Sequence, residues 1–234
     1  MAAFTTILFD LDDTLFDFSA CWELGMQQTI ATHPLTAELD GKEMLEALRR
    51  HGDELWVDVI AQRYDFTQYR QLRLQRALAD FDRQIEVEQV DDFQRAYADA
   101  CMNAVQPDQT VQVTIAKLAE QHTLGIVTNG PEDMAFTKLE RLGLSGYFPQ
   151  ERVFISELIG YHKPDPRIYT AAVEQLGVQR EQVLFVGDTW DADVAGPIDA
   201  GFSAVWINVR GKEPKSAHNP LAVIERLDQL LSLV

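Results

Sequence analysis

Asp10, Asp12 and Asp13 place three carboxylates within four residues, directly after the apolar run Thr5-Thr6-Ile7-Leu8-Phe9. At pH 7 such groups repel one another, and they become tolerable when a cation neutralises them or one of them keeps a proton. Further along, Thr128-Asn129-Gly130, Lys163 and the acids Asp188 and Asp193 add a hydroxyl, backbone amides, an ammonium and more carboxylates. The carboxylates of Asp10 and Asp188 are hard oxygen ligands suited to Mg²⁺, which takes one or two carboxylates together with waters and phosphate oxygens. Lys163 offers a compact positive charge and Thr128 a hydroxyl. The amides of Asn129 and Gly130 would open a helix N-terminus, which attracts anions. This inventory suits a phosphoryl group, whose transfer depends mainly on stabilising its charge.

Such a site also needs a nucleophile, and an aspartate can attack phosphorus to give an aspartyl-phosphate. Asp10 and Asp12 alternate along the strand direction, so both fall on one side with Leu11 on the other. One carboxylate near a cation stays ionised, and the other can hold a proton for the leaving oxygen. Each residue alone has a plainer reading. Thr128 alone is an ordinary helix N-cap, Lys163 a surface lysine, Asp188 a turn residue. Asp13 reads as a turn acid and His162 as a loop histidine.

These residues must be delivered by the elements before them. Short apolar, β-branched runs read as buried strands at Thr5–Phe9, Leu124–Val127, Val153–Ile155, Val183–Val186 and Ala204–Ile207. Helical periodicity fits Val111–Gln121, the stretch from Pro131 to Leu142, Arg167–Leu176 and Leu221–Leu231, with Gly143 and Gly177 as stops. Pro131 suits a first helical turn, and Glu132 and Asp133 favour its positive end. Tyr161-His162-Lys163-Pro164-Asp165-Pro166 is a loop, because two prolines forbid regular helix. Strand alternating with helix predicts an α/β fold, a Rossmann-like parallel sheet with helices on both faces. All its strands present their carboxyl ends to one edge, where the acids, Thr128 and Lys163 converge. From Phe16 to Asp99 strand signals vanish and helical periodicity takes over, with breaks near His33-Pro34, Asp40-Gly41 and His51-Gly52. The expected organisation is a core of residues 1–15 and 100–234 and a small all-helical domain of residues 16–99.

Four motifs in this order resemble those of the haloacid dehalogenase superfamily of phosphatases: Asp10-Leu11-Asp12-Asp13-Thr14-Leu15, Val127-Thr128-Asn129-Gly130, Lys163-Pro164-Asp165-Pro166, and Gly187-Asp188-Thr189 with Asp193. The resemblance implies that Asp10 is the nucleophile and Asp12 the acid, then the base for the hydrolytic water. It gives phosphate binding to Thr128, Asn129 and Lys163, and Mg²⁺ to Asp10, the Asp12 backbone carbonyl and Asp188, with Asp193 as an outer or occasional ligand. Dehalogenases of the superfamily lack an acid at the place of Asp12. The long gap between the first and second motifs implies a helical cap of the C1 type. Leu55-Trp56-Val57-Asp58, Tyr64-Asp65-Phe66-Thr67 and Arg70 look like the branch with pyrimidine 5′-nucleotidases and acylneuraminate phosphatases. Phe16, Phe18, Trp22, Trp56 and Tyr64 could stack on a base, although aromatics at helical spacing usually form core. Arg70, Arg73 and Arg76 read as a solvated helix face. Pro197 departs from the helix the resemblance expects after Asp193, since interior proline costs about 3 kcal/mol.

The implied activity is Mg²⁺-dependent phosphomonoester hydrolysis through an aspartyl-phosphate, on a nucleoside 5′-monophosphate. A sugar-phosphate phosphatase or a phosphomutase would use the same core. A phospho-accepting regulatory domain is the contrasting class, which Asp12 and the long insert disfavour. Composition narrows the partners. With 37 Asp and Glu against 20 Lys and Arg, a net charge of -17 disfavours nucleic acid polymers and anionic membranes. The expected partner is a small phosphorylated metabolite, and the expected state a monomer or homodimer. A chain of 234 residues, 46% hydrophobic, can bury a sizeable core. Cys21 and Cys101 form no close metal-ligand pair, and with no signal peptide or membrane span in the sequence a reduced, cytoplasmic setting is expected.

Overall fold

The structure, a computed structural model, describes residues 4–234. In chain order it runs β1 (Thr6–Phe9), α1 (Phe18–Thr32), α2 (Gly41–Ile60), α3 (Phe66–Ala79), α4 (Val87–Ala104), α5 (Gln109–Ala119), β2 (Thr123–Thr128), α6 (Glu132–Arg141), β3 (Val153–Ile155), α7 (Ser156–Ile159), α8 (Pro166–Leu176), β4 (Val183–Gly187), α9 (Gly196–Asp199), β5 (Ser203–Ile207) and β6 (Ala222–Ile224). These elements fall into two compact units, the helical insertion Ser19–Val105 and a unit built from the segment ending at Phe18 and from Gln106–Val234. No helix among the described residues is long and apolar enough to cross a membrane.

The second unit is a parallel α/β sheet in the order β3-β2-β1-β4-β5-β6. Every pair is parallel. β1 lies in the interior between β2 and β4 because all four of its residues are buried, as an all-parallel sheet covered on both faces requires. Leu8, Val127, Phe154 and Phe185 on one face pack with Ile168 and Tyr169 of α8. The alternate residues Ile7, Phe9, Leu184 and Val186 are fully buried on the other face, where Phe9 meets Phe148 edge-on with ring centroids 6.1 Å apart.

The C-terminal stretch departs from the expected helix Leu221–Leu231. Ala222–Ile224 instead adds β6 to the sheet, and a 3-10 turn spans Leu227–Ser232. Leu221 N–H donates to the Ala204 carbonyl and Asn208 N–H to the Ile224 carbonyl. Pairing with β5 therefore satisfies backbone groups that the three-residue apolar spacing, read alone, would have given to a helix.

In the helical unit α2, α3 and α4 start on acids, a use for part of the acidic excess. Asp40 accepts from the Lys42 and Glu43 amides, and Asp65 forms a capping box with Gln68. The break expected at His51-Gly52 does not occur. α2 runs through it, and a Cβ at Gly52 would meet the Tyr69 hydroxyl at 3.1 Å and Arg73 Cδ at 3.3 Å. The glycine marks a close helix crossing. Trp56, Phe66 and Tyr69 pack together as core. Arg76 is exposed, but Arg73 is buried rather than solvated, its guanidinium 5.1 Å from the Tyr69 ring centre.

Leu8→Ala would open a cavity in the sheet core, where Leu8 is fully buried. It is expected to destabilise the protein by about 2–5 kcal/mol, read as a lower urea midpoint with an unchanged slope.

Candidate active site

The chain adds β2 and β3 on one side of β1, then returns to add β4, β5 and β6 on the other. The order therefore reverses between β1 and β4, and open α/β sheets bind ligands outside the strand carboxyl ends at such a reversal. Asp10 follows β1 there, and Asp10 N–H donates to the Val186 carbonyl of β4 at 2.9 Å. Its buried side chain is thereby fixed beside the end of β4, where Asp188 follows Gly187.

Lys163 enters from the loop between α7 and α8. Its Nζ donates to Asp10 Oδ1 and to Asp193 Oδ1, each at 2.7 Å, and only 2% of its surface is exposed. Burial alone would lower the ammonium's pKa. The charges of Asp10 and Asp193 outweigh that and hold it above the ordinary value. Asn129 sets the loop: Lys163 N–H donates to Asn129 Oδ1 at 2.8 Å, and Asn129 Nδ2 donates to the Lys163 carbonyl at 2.9 Å. The Asn129 side chain thus positions Lys163. Thr128 is buried at the end of β2, and its Oγ1 accepts from Gly130 N–H at 2.9 Å. The open helix end read for this stretch is accordingly reduced. Gly130 has its amide committed to Thr128, and α6 starts later, behind Pro131 as N-cap. The Thr128 hydroxyl proton remains available to an anion.

Asp12 stands apart from this network. Both of its carboxylate oxygens accept from Lys138 Nζ, at 2.7 and 2.8 Å. Burial raises the Asp12 carboxyl above the usual range, and Lys138 opposes the rise without cancelling it. Asp13 adopts a positive φ of 59°, a conformation Asp tolerates better than most residues, so it shapes the turn.

Asp10, Asp188 and Asp193 each bring a carboxylate oxygen within 4.8 Å of the others. Three converging hard oxygens, two of them following strand ends, fit Mg²⁺. Burial, then the nearby charge of Asp10, raises Asp188 against the pull of Lys212, whose Nζ lies 3.2 Å from Asp188 Oδ2. Burial likewise pushes Asp193 up to about 7 against the pull of Lys163. These acids carry more charge than the lysines neutralise, which is the condition a divalent cation relieves. Asp193 has both oxygens engaged, Oδ1 by Lys163 and Oδ2 by Thr189 N–H at 2.9 Å. Its carboxylate thus belongs both to the lysine network and to the acidic group that could hold a metal ion. Gly187 makes room for it, since a Cβ there would collide with Asp193 Cγ.

Of the residues singled out in the sequence, Asp10, Lys163, Asp188 and Asp193 form one cluster, with Asn129 clamping its lysine. Asp12 has its own cation, Lys138, which sequence reasoning missed. The signal was present, because Lys138 falls on the buried stripe of α6 with Met134, Ala135 and Leu139, where an ordinary lysine would face solvent.

The comparisons with known proteins give the family. The haloacid dehalogenase-like hydrolase family matches residues 4–201. Pyrimidine 5′-nucleotidase YjjG of Escherichia coli (strain K12) is 29% identical over 230 residues, covering 97% of this chain and 96% of its own. Glyceraldehyde 3-phosphate phosphatase of Methanopyrus kandleri is 34% identical over 241 aligned positions, covering 97% of this chain and 96% of its own. The HAD-hydrolase YfnB of Bacillus subtilis shares the fold, with a TM-score of 0.84 at 23% identity over 99% of this chain and 98% of that one. A family match over residues 4–201 and a 34% identical relative along nearly the whole chain lead to one conclusion: the protein belongs to the haloacid dehalogenase-like hydrolases.

Proposed function

We propose that the protein is a Mg²⁺-dependent phosphomonoester hydrolase that works through an aspartyl-phosphate and acts on nucleoside 5′-monophosphates. The observation that carries this reading is the separation of two strand-end carboxylates onto two lysines, Asp10 on Lys163 and Asp12 on Lys138. A nucleophile and an acid need different environments, and here they have them. The presence of an acid at Asp12 favours phosphate esters over haloacids.

In this reading Asp10 Oδ1 is held by Lys163, and Oδ2, with only a long 3.4 Å contact from the Thr14 hydroxyl, attacks phosphorus. The bond from phosphorus to the ester oxygen breaks, and Asp12 gives that oxygen its proton. Asp12, now ionised, takes a proton from water, the water oxygen attacks phosphorus, and Asp10 is released with inorganic phosphate. Lys163 and the Thr128 hydroxyl bind the non-bridging oxygens. Asp10, Asp188 and the Asp12 carbonyl would hold Mg²⁺, with Asp193 behind them. The ion would supply the charge neutralisation that lets a phosphate dianion approach an aspartate. Selection of the leaving group is assigned to the helical unit Ser19–Val105.

The nucleotide preference draws on the pyrimidine 5′-nucleotidase relative. A second reading, a triose or sugar phosphate, draws on the glyceraldehyde 3-phosphate phosphatase relative at higher identity. Phosphate release from a panel of nucleoside monophosphates, glyceraldehyde 3-phosphate and hexose phosphates separates them. Repeated turnover is expected, whereas a phospho-accepting regulatory domain would stop after one phosphoryl group per chain.

Asp10→Asn is expected to abolish release, and turnover surviving in that variant would remove the nucleophile assignment. Asp12→Asn is expected to lower kcat/KM for a nucleotide by about 10²–10⁴-fold. Chelation with EDTA should stop turnover and added Mg²⁺ restore it. Asp188→Asn should raise the Mg²⁺ concentration for half-maximal activity by at least about tenfold, in line with lost coordination.

A further inference from the structure

We infer that Lys138 is the positioning residue for the leaving-group acid, an inference that rests on the hydrolase reading above. Lys138 projects from the buried face of α6 and is 1% exposed. A lysine this deep is costly unless its charge is met. Its charge is met by one carboxylate, through nearly equal contacts of 2.7 and 2.8 Å to the two oxygens of Asp12.

A contact to one oxygen leaves a carboxylate able to turn about its last bond. A contact to both fixes the plane. The ammonium also lies 4.0 Å from the Phe18 ring centre and 5.9 Å from that of Phe16, distances at which aromatic faces attract cations. Phe16 and Phe18 closely follow Asp12 in the chain, and Asp12 also bridges to Phe16. The carboxylate, its cation and the rings behind the cation thus form a local assembly separate from the Asp10–Lys163–Asp193 network. A Cβ placed on Gly130 would lie 3.0 Å from Asp12 Oδ2, 3.1 Å from Thr128 Oγ1 and 3.8 Å from Lys138 Nζ. The assembly therefore borders the phosphate-binding threonine. Lys138 is placed to aim the Asp12 oxygen at the ester oxygen and leaves Asp10 to Lys163.

A lysine that only stabilised the fold would affect every substrate alike. A lysine that aims the acid matters most where the leaving oxygen needs a proton. The test compares a nucleoside 5′-monophosphate, whose alkoxide leaves poorly, with p-nitrophenyl phosphate, whose phenolate leaves unaided. The readout is kcat/KM, which reports phosphoryl transfer to Asp10. Lys138→Met is expected to lose about 10²-fold on the nucleotide, the scale of a misplaced catalytic group, and less than about tenfold on the aryl ester. The double variant Asp12→Asn/Lys138→Met should match Asp12→Asn alone. The double variant buries no unpaired charge, so it keeps the test usable if Lys138→Met folds poorly.

Equal losses on both esters, or losses that multiply in the double variant, would overturn the inference. Failure of the underlying reading looks different, since Asp10→Asn would then retain activity.

Discussion

Confined negative charge is the constraint on which this site depends. Asp10, Asp12, Asp188 and Asp193 gather at one edge of a sheet whose interior is apolar. Each carboxylate removed from water there costs energy unless a cation or donors replace the hydration. Two buried lysines take up the main part, Lys163 against Asp10 and Asp193, and Lys138 against Asp12. Lys212, half exposed, reaches Asp188. Asp188 and Asp193 nevertheless stay above the usual carboxylate range because burial outweighs these contacts. The site is short of positive charge, and that shortfall is the physical case for a divalent cation.

Charge arranged this way needs a backbone that does not yield. The apolar strands β1 and β4 supply it, joined past their ends by the Asp10 amide. The flexible parts are pinned by hydrogen bonds in pairs. Asn129 holds Lys163 by both its amide and its carbonyl, and Asp193 exchanges bonds with Thr189 while accepting from Lys163. Residues distant in sequence therefore arrive with fixed side chains, which is the preorganisation that electrostatic catalysis requires.

The strand-borne part of this was legible in the sequence. A buried strand announces itself by a short apolar run, and a carboxylate directly after it must sit at the sheet edge, so Asp10 and Asp188 could be placed without coordinates. The two buried cations of the helices could not be placed by treating charge as solvated. Lys138 and Arg73 both sit on apolar helical stripes, and only their partners, a carboxylate and a tyrosine ring, reveal why. The reversed cases have the same origin. Gly52 looked like a break but marks a helix crossing, and Leu221–Leu231 looked helical but completes the sheet. In each, a contact from elsewhere in the chain overrode the local pattern.

Pro197 shows how the fold absorbs a residue that local rules forbid. A regular helix from Asp191 onward would place proline in its interior. The chain instead makes a π-helical stretch over Trp190–Ala195 and starts a new helical turn at Gly196, with Pro197 at its first positions, where the missing N–H leaves nothing unpaired. The π stretch turns Asp193 inward to Lys163. It is held from below by the Tyr169 hydroxyl on the Ala192 carbonyl, 2.5 Å. Lys215 pairs with Asp191 and Ser216 accepts from Trp190 Nε1, while His218 contacts Asp199 of the following turn. Such widened turns occur often at functional sites. Here the irregularity has a specific consequence: it gives a buried acid to the lysine that also holds Asp10, at a place where a straight helix would have carried that acid elsewhere.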